Sequence, residues 1–239
     1  MAGAGPRRGL EPARARRPRP ADDRRSEVES HASGLAPLAA VPLDQESVEP
    51  DPIAQFRRWY DEARAAHVVQ PDAMTLATAA PDGAVSARTV LLRGLDDRGF
   101  VFFTNVESAK AAQLVSNPRA ALVFHWREQE RQVRVTGAVR RVDDADAGRY
   151  WESRPRGHRV SAWASPQSHV VDRAELEARV AEVEERFAGQ DPPLPPFWGG
   201  FVVGVDELEC WQGRPDRLHD RVRYRPDGNG GWRRERLAP

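Results

Sequence analysis

Residues 74–105 read "MTLATAAPDGAVSARTVLLRGLDDRGFVFFTN". Three β-prone runs, "MTLATAA" (74–80), "AVSARTVLLRGL" (84–95) and "FVFFTN" (100–105), are separated by "PDG" at 81–83 and "DDRG" at 96–99. Pro, Asp and Gly supply the restricted or left-handed backbone that a chain reversal needs, so the pattern predicts strands joined as antiparallel hairpins. Similar patterns recur outward from this stretch. "AALVFHW" (120–126) and "RQVRVTGAVRRV" (131–142) predict a second hairpin across "REQE". Strands resume in "GGFVVGVDELECWQG" (199–213), and "RVRYRPDGNGGWRRERL" (221–237) predicts a closing hairpin around "DGNGG".

Three helices interrupt the strands. In "DPIAQFRRWYDEARAA" (51–66), Ile53, Phe56, Trp59 and Tyr60 recur at three- and four-residue spacing behind Asp51 and Pro52, a helix start. A second helix begins near Ser108. A third opens on Asp172 as N-cap with Glu175 three residues on, a capping box, and sets Leu176, Val180, Val183 and Phe187 on one stripe. The expected fold class is mainly β with helices: an antiparallel β-barrel carrying helical insertions, with no internal repeat.

Composition narrows the function classes. Lys plus Arg and Asp plus Glu both total 36 in the 239 residues, so no net field draws the whole molecule to nucleic acid or an anionic membrane. Any anion site has to be built by local concentration of charge. Lys110 is the only lysine, which leaves 35 arginines, so a single arginine carries little information here. The apolar runs are too short for a membrane-spanning helix. Cys210 is the only cysteine, which excludes an internal disulfide and a cysteine-based zinc site; a buried thiol and a reducing, cytoplasmic setting are expected, with no metal. Residues 1–45, rich in Ala, Pro, Gly and Arg without apolar period, predict a disordered tail ahead of a folded domain at 46–239. The arginine pairs near the start are not followed by an apolar stretch of export-signal type.

Several places gather candidate chemistry. Ser108 and Lys110 stand at a strand-to-helix junction, where free amides, the helix dipole and an ammonium suit phosphate. Arg88 and Arg93, five apart in "RTVLLR", project to opposite faces of an ideal strand unless a bulge intervenes. Gln132 and Arg134 share one strand face, with Val133 and Val135 on the other. "GRPDRLHDRVRY" (213–224) sets Arg214, Arg217, Arg221 and Arg223 around His219, while Val222 and Tyr224 alternate as in a half-buried strand.

Taken in order, "RTVLLR", "GFVFFTN", "SAK", "RQVRVTG", "YWESRPRG", "AWASPQS", "PPFWGGF", "ECWQGRPDRLHDRVRY" and the final "RLAP" resemble the pyridoxamine 5'-phosphate oxidase family from about residue 51 to 239. The resemblance implies an FMN-binding split barrel, a homodimer with flavin at the subunit interface, and no membrane or nucleic-acid partner. It implies an FMN-dependent oxidase converting pyridoxamine or pyridoxine 5'-phosphate to pyridoxal 5'-phosphate, with oxygen reduced to hydrogen peroxide. By the same resemblance the flavin site falls on Arg88, Thr89, Val90, Leu91, Leu92 and Arg93, on Phe103 and Thr104, on Ser108 and Lys110, and on Gln132, Gln167, Ser168, Trp211 and Arg221. The substrate site falls on Arg93, Tyr150, Arg154, His158, Arg217, Leu218 and His219. Arg217 and His219 are the expected catalytic pair, placing the substrate and stabilising charge, with neither assigned as an obligatory base. Two bound phosphates answer why a neutral chain concentrates cations locally.

The sequence departs from the family pattern at Arg93, usually lysine, at His158, usually serine, and at Ala109, often basic. The N-terminal Arg and Tyr that cover the family's substrate have no clear counterpart before Asp51. Two alternatives stay open at this point. One is a phenazine-biosynthesis-type flavin oxidase on the same fold, whose branch "HWRE", "VDRAEL" and "RYRPDGN" partly resemble. The other is a non-catalytic split-barrel protein that binds flavin, haem or nucleic acid.

Overall fold

Asp51 accepts a hydrogen bond from the Ala54 amide (2.9 Å) and Pro52 occupies the first turn, so helix α1 (Pro52–Ala65) starts where the sequence places it. Its apolar stripe buries Phe56 and Trp59, while Ile53 and Tyr60 are half-buried. Phe56 meets Phe100 edge-on at 4.8 Å and Phe124 at 4.7 Å. Full burial of a side chain of this size is worth about 1.5–3 kcal/mol, so this contact fixes α1 across the mouth of the sheet.

The chain is described by a computed structural model at Met1 and at residues 42–239. Most of the proposed tail therefore lies outside the described residues. Leu43, inside the stretch that composition assigns to the tail, is buried and its amide donates to Asp220 (3.2 Å).

Among the described residues, ten strands form one antiparallel, branching sheet. They are β1 (Ala73–Ala79), β2 (Val85–Leu91), β3 (Gly94–Asp96), β4 (Gly99–Asn105), β5 (Arg119–Trp126), β6 (Arg131–Arg141), β7 (Trp198–Val203), β8 (Glu207–Gln212), β9 (Asp220–Pro226) and β10 (Trp232–Arg236). The main path runs β10-β9-β8-β6-β5-β1-β2, and β4 with β3 and β7 closes the other side. Long strand β6 belongs to both parts: its first half pairs with β8, and beyond Gly137 it pairs with β7 (Val139↔Val203). Gly137 permits the switch, since a Cβ there would stand 1.9 Å from the Gly204 carbonyl oxygen. Gly99 serves the "DDRG" reversal in the same way, at φ +126° with the Val203 carbonyl against it.

Two expectations need correction. The run at 84–95 is not one strand: the ladder of β2 ends at Leu91, the Leu92 amide turns to Asp72 and the Arg93 amide to Val101, and β3 starts afresh as the partner of β4. Helix α5 (Arg173–Arg186) starts on Asp172, whose carboxylate accepts from the Glu175 amide, but Glu175 turns its own carboxylate to Arg179 (2.9 Å). None of its residues is buried; Leu176, Val180 and Val183 are half-buried, and only Phe187, at the C-cap, sinks in beside Trp163. Helices α2 (Ala109–Ser116), α3 (Asp144–Ser153) and α4 (Arg156–Ala164) complete the molecule; α3 and α4 carry "YWESRPRG" and "AWASPQS". Among the described residues, no helix is long and apolar enough to cross a membrane.

Candidate cofactor and substrate site

Strand β2 pairs Arg88 directly with Leu76, and the same row continues through Leu122 and Val135, all fully buried. Paired residues share a face, so Arg88 points to the inner side of the sheet at its edge. Its guanidinium donates to Leu76 O (3.2 Å), Thr78 Oγ1 (2.7 Å) and Ser86 Oγ. Across from it, Lys110 in the first turn of α2 places Nζ 3.1 Å from Thr104 Oγ1, 3.1 Å from Ser108 Oγ and 2.8 Å from Gln167 Oε1. Ser168, at φ +75°, accepts from the Ala109 amide at the start of the same helix (3.2 Å). The resemblance placed Arg88, Thr104, Ser108, Lys110, Gln167 and Ser168 in one site, and the fold brings them together from four separate segments.

Every acceptor around these two cations is neutral. Among the described residues neither Arg88 nor Lys110 meets a carboxylate, although most of the described arginines do. Burial, and then the charge of Arg88, push the Lys110 ammonium down to about 8. Burial lowers Arg88 as well. A buried ammonium beside a half-buried guanidinium, with no counter-anion, is costly, and a phosphate dianion reverses the cost. Lys110 itself is only 9% exposed.

A second group lies at the far end of "RTVLLR". Arg93 donates from Nε to the Tyr150 hydroxyl (3.1 Å) and pairs with Asp72 (2.6 Å), which the sequence did not single out. Tyr150 stacks on Phe103 with centroids 4.1 Å apart and planes 9° from parallel. Arg154 lies over the Trp198 ring at 4.3 Å and donates to His158 O (2.9 Å), while its buried Nε–H has no partner among the described residues. His158 itself is exposed on the first turn of α4. Of the intervening positions, Leu92 is buried, Val90 and Leu91 are half-buried, and Thr89 is exposed. The break after Leu91, not a bulge, separates Arg93 from Arg88.

The third group sits elsewhere. Gln132, Trp211 and Arg221 are direct cross-strand partners on β6, β8 and β9. Gln132 is three residues from Val135, the residue in the Arg88 row, so it projects from the opposite face of the sheet. It is also three strand spacings away, roughly 14 Å. Arg221 is already paired with both oxygens of buried Glu209 (2.9 and 3.1 Å), which also takes Arg134 (3.2 Å). His219 lies 4.7 Å from Trp211 and accepts at Nδ1 from the Arg214 amide (3.1 Å). Asp216 and Arg217 follow one another at φ +57° and +60°, a left-handed pair that costs about 1–2 kcal/mol per residue and exposes Arg217 and Leu218 at the tip of the turn. Sequence reasoning missed Thr78 and Ser86 beside Arg88. Ser86, two residues before Arg88, carried a usable period-two signal; Asp72 and Glu209 carried none.

An inward cradle of uncompensated cations on the edge of a branching half-barrel, with aromatic and arginine groups beside it, defines a split-barrel protein built for phosphorylated ligands. Comparison with known proteins makes this specific. Residues 60–187 match the family model described as pyridoxamine 5'-phosphate oxidase, and residues 198–239 match that of the pyridoxine 5'-phosphate oxidase C-terminal dimerisation region. The chain belongs to the pyridoxamine 5'-phosphate oxidase family. A Ralstonia nicotianae protein named pyridoxine/pyridoxamine 5'-phosphate oxidase 1 is 56% identical over 202 residues, 84% of this chain and 95% of that one. A Salinibacter ruber protein named pyridoxine/pyridoxamine 5'-phosphate oxidase is 55% identical over 204 residues, again 84% and 95%. Among solved structures, PhzG from Burkholderia lata 383, in complex with tetrahydrophenazine-1-carboxylic acid, superposes with a TM-score of 0.78 at 32% identity, covering 84% of this chain and 99% of that one.

Proposed function

We infer that this chain is a homodimeric, FMN-dependent oxidase that converts pyridoxine and pyridoxamine 5'-phosphates to pyridoxal 5'-phosphate, with oxygen reduced to hydrogen peroxide. The observation that carries the reading is the cradle of half-buried Arg88 and buried Lys110, whose partners among the described residues are all neutral oxygens. That donor set fits the phosphate of FMN, with Ser108, Gln167 and Ser168 completing it. Bound FMN supplies the two-electron redox chemistry.

The chain's own residues do the rest. Gln132, Trp211 and Arg221 project from the opposite sheet face to Arg88, so one chain cannot close a pocket around both sets; a second copy supplies the outer-face residues. A flavin lying between subunits accounts for this arrangement, and the match of residues 198–239 to a dimerisation region supports the dimer it needs. Arg154, with its unmet Nε–H, is the stronger anchor for the substrate phosphate; Arg93, already held by Asp72, orients Tyr150 beside it. Arg217 and His219 position the reacting ring and stabilise charge as its exocyclic carbon is oxidised. Val90 and Leu92 support the strand from the core side. The lone buried Cys210 suits a reducing compartment, and the cytoplasm is the proposed location.

The test is a steady-state assay of the purified, FMN-loaded protein. Pyridoxine 5'-phosphate should yield aldehyde and peroxide in equal amounts. Turnover restricted to a dihydrophenazine substrate would replace the reading with the phenazine-type oxidase.

A further inference from the structure

We propose that Asp220 is a positioning residue for His219, acting through Arg214, and that the ring so held works as a hydrogen-bond donor through Nε2–H. The inference rests on the functional reading above only in assigning His219 to the substrate site.

Asp220 opens β9 immediately after the strained turn, and it is 5% exposed. One carboxylate oxygen accepts from Arg214 Nε (2.6 Å) and from the Leu43 amide (3.2 Å); the other takes Arg236. Burial works to raise its carboxyl, but hydrogen bonds from Arg214 and Arg236 outweigh it and hold the group below the ordinary carboxylate range. A single carboxylate thus ties together the entry of the turn, the start of the folded body and the closing strand.

Arg214 is the residue that transmits this. Its side chain is fixed to Asp220, and its own main-chain N–H donates to His219 Nδ1 (3.1 Å). Between them the backbone runs through Asp216 and Arg217, both left-handed, with the Leu218 amide reaching Pro215 O (3.2 Å). A turn of this kind has no ladder of its own to hold it, so the clamp at Arg214 defines where the amide points.

A neutral imidazole that accepts at Nδ1 carries its proton on Nε2. Nε2 has no partner among the described residues, and His219 lines a cavity with Leu218, Arg236 and residues 237–239. The available group is therefore an N–H. It suits an oxygen acceptor such as a phosphate or ring phenolate, and it does not suit removal of a proton from the substrate carbon.

The experiment is nitrogen NMR of the FMN-loaded, full-length protein labelled at histidine, with His219 assigned from the spectrum of His219→Asn. Wild type should show a pyridine-like Nδ1 and a pyrrole-like Nε2 for His219. A protonated Nδ1 or averaged signals in wild type would overturn the proposal. Asp220→Asn should average the two signals and lower kcat about tenfold with FMN content unchanged; an intact tautomer together with unchanged kcat would also overturn it. Should Asp220→Asn fail to fold, Arg214→Ala is expected to reproduce the averaging and Arg214→Lys to restore the wild-type signals, and the absence of that contrast counts against the clamp. Failure of wild type to oxidise pyridoxine 5'-phosphate would remove the functional reading, while the tautomer result would stand or fall by itself.

Discussion

Two arginine-bearing regions of this molecule are alike in composition and opposite in electrostatics. On the outer face, Arg221 and Arg134 converge on buried Glu209, and Arg223 pairs with Glu235 at 2.6 Å. At the inner edge, the acceptors that Arg88 and Lys110 meet among the described residues all belong to hydroxyls, an amide and a carbonyl. With 35 arginines in the chain, the presence of a cation marks nothing; the missing carboxylate is what singles out the proposed ligand site.

The contrast can be broken most directly at the cradle. Arg88→Ala and Lys110→Ala each remove charge-assisted hydrogen bonds worth about 1.5–3 kcal/mol, so FMN affinity should fall roughly 10–150-fold per substitution in a fluorescence titration. Unchanged affinity in both would mean that the phosphate binds elsewhere.

Glu209→Gln should give the complementary pattern. It leaves Arg221 and Arg134 facing an uncharged amide and should lower stability by about 1–3 kcal/mol in urea unfolding. FMN affinity should change less than in the cradle variants; a larger loss of FMN than of stability would place Arg221 in direct contact with the cofactor.

The pH dependence sharpens the same comparison. Lys110 titrates near 8 in the free protein and at 10.5 when unfolded, so the cost of burying its charge is present below 8 and is relieved as pH rises between those values. Stability of the flavin-free protein should gain a contribution from Lys110 over that interval. FMN binding restores the charge, so affinity should be flat below pH 8 and weaken above it by up to about tenfold per unit. Lys110→Ala should abolish this bend, and a bend that survives the substitution has another source.

The smallest effect is expected on α5, where Arg179 meets Glu175 in solvent at i,i+4. Arg179→Ala should cost no more than about 0.5 kcal/mol and leave FMN affinity unchanged.

The strands were legible because turn residues bracket β-prone runs, and the "PDG" and "DGNGG" reversals do join the hairpins they suggest. The grouping of Lys110, Gln167 and Ser168 around one helix start was legible through motif order. Less was visible where two segments compete for one backbone. The break at Leu92 follows from the amides of Leu92 and Arg93 finding Asp72 and Val101, partners twenty residues before and eight after. The stripe of α5 looked like a core face but packs only partly, because its surroundings offer little beyond α4 to cover it.

By itself the sequence determined the inventory: where chains reverse, which runs alternate, and which residue types stand in family order. Local φ/ψ preference and side-chain period act within a few residues, so they can be read along the chain. Only the tertiary structure decided which cations lack a carboxylate and which face of the sheet each one uses. Both depend on strand register and on neighbours far apart in the chain, 75 residues between Arg134 and Glu209, and a slip of one residue would have exchanged the faces.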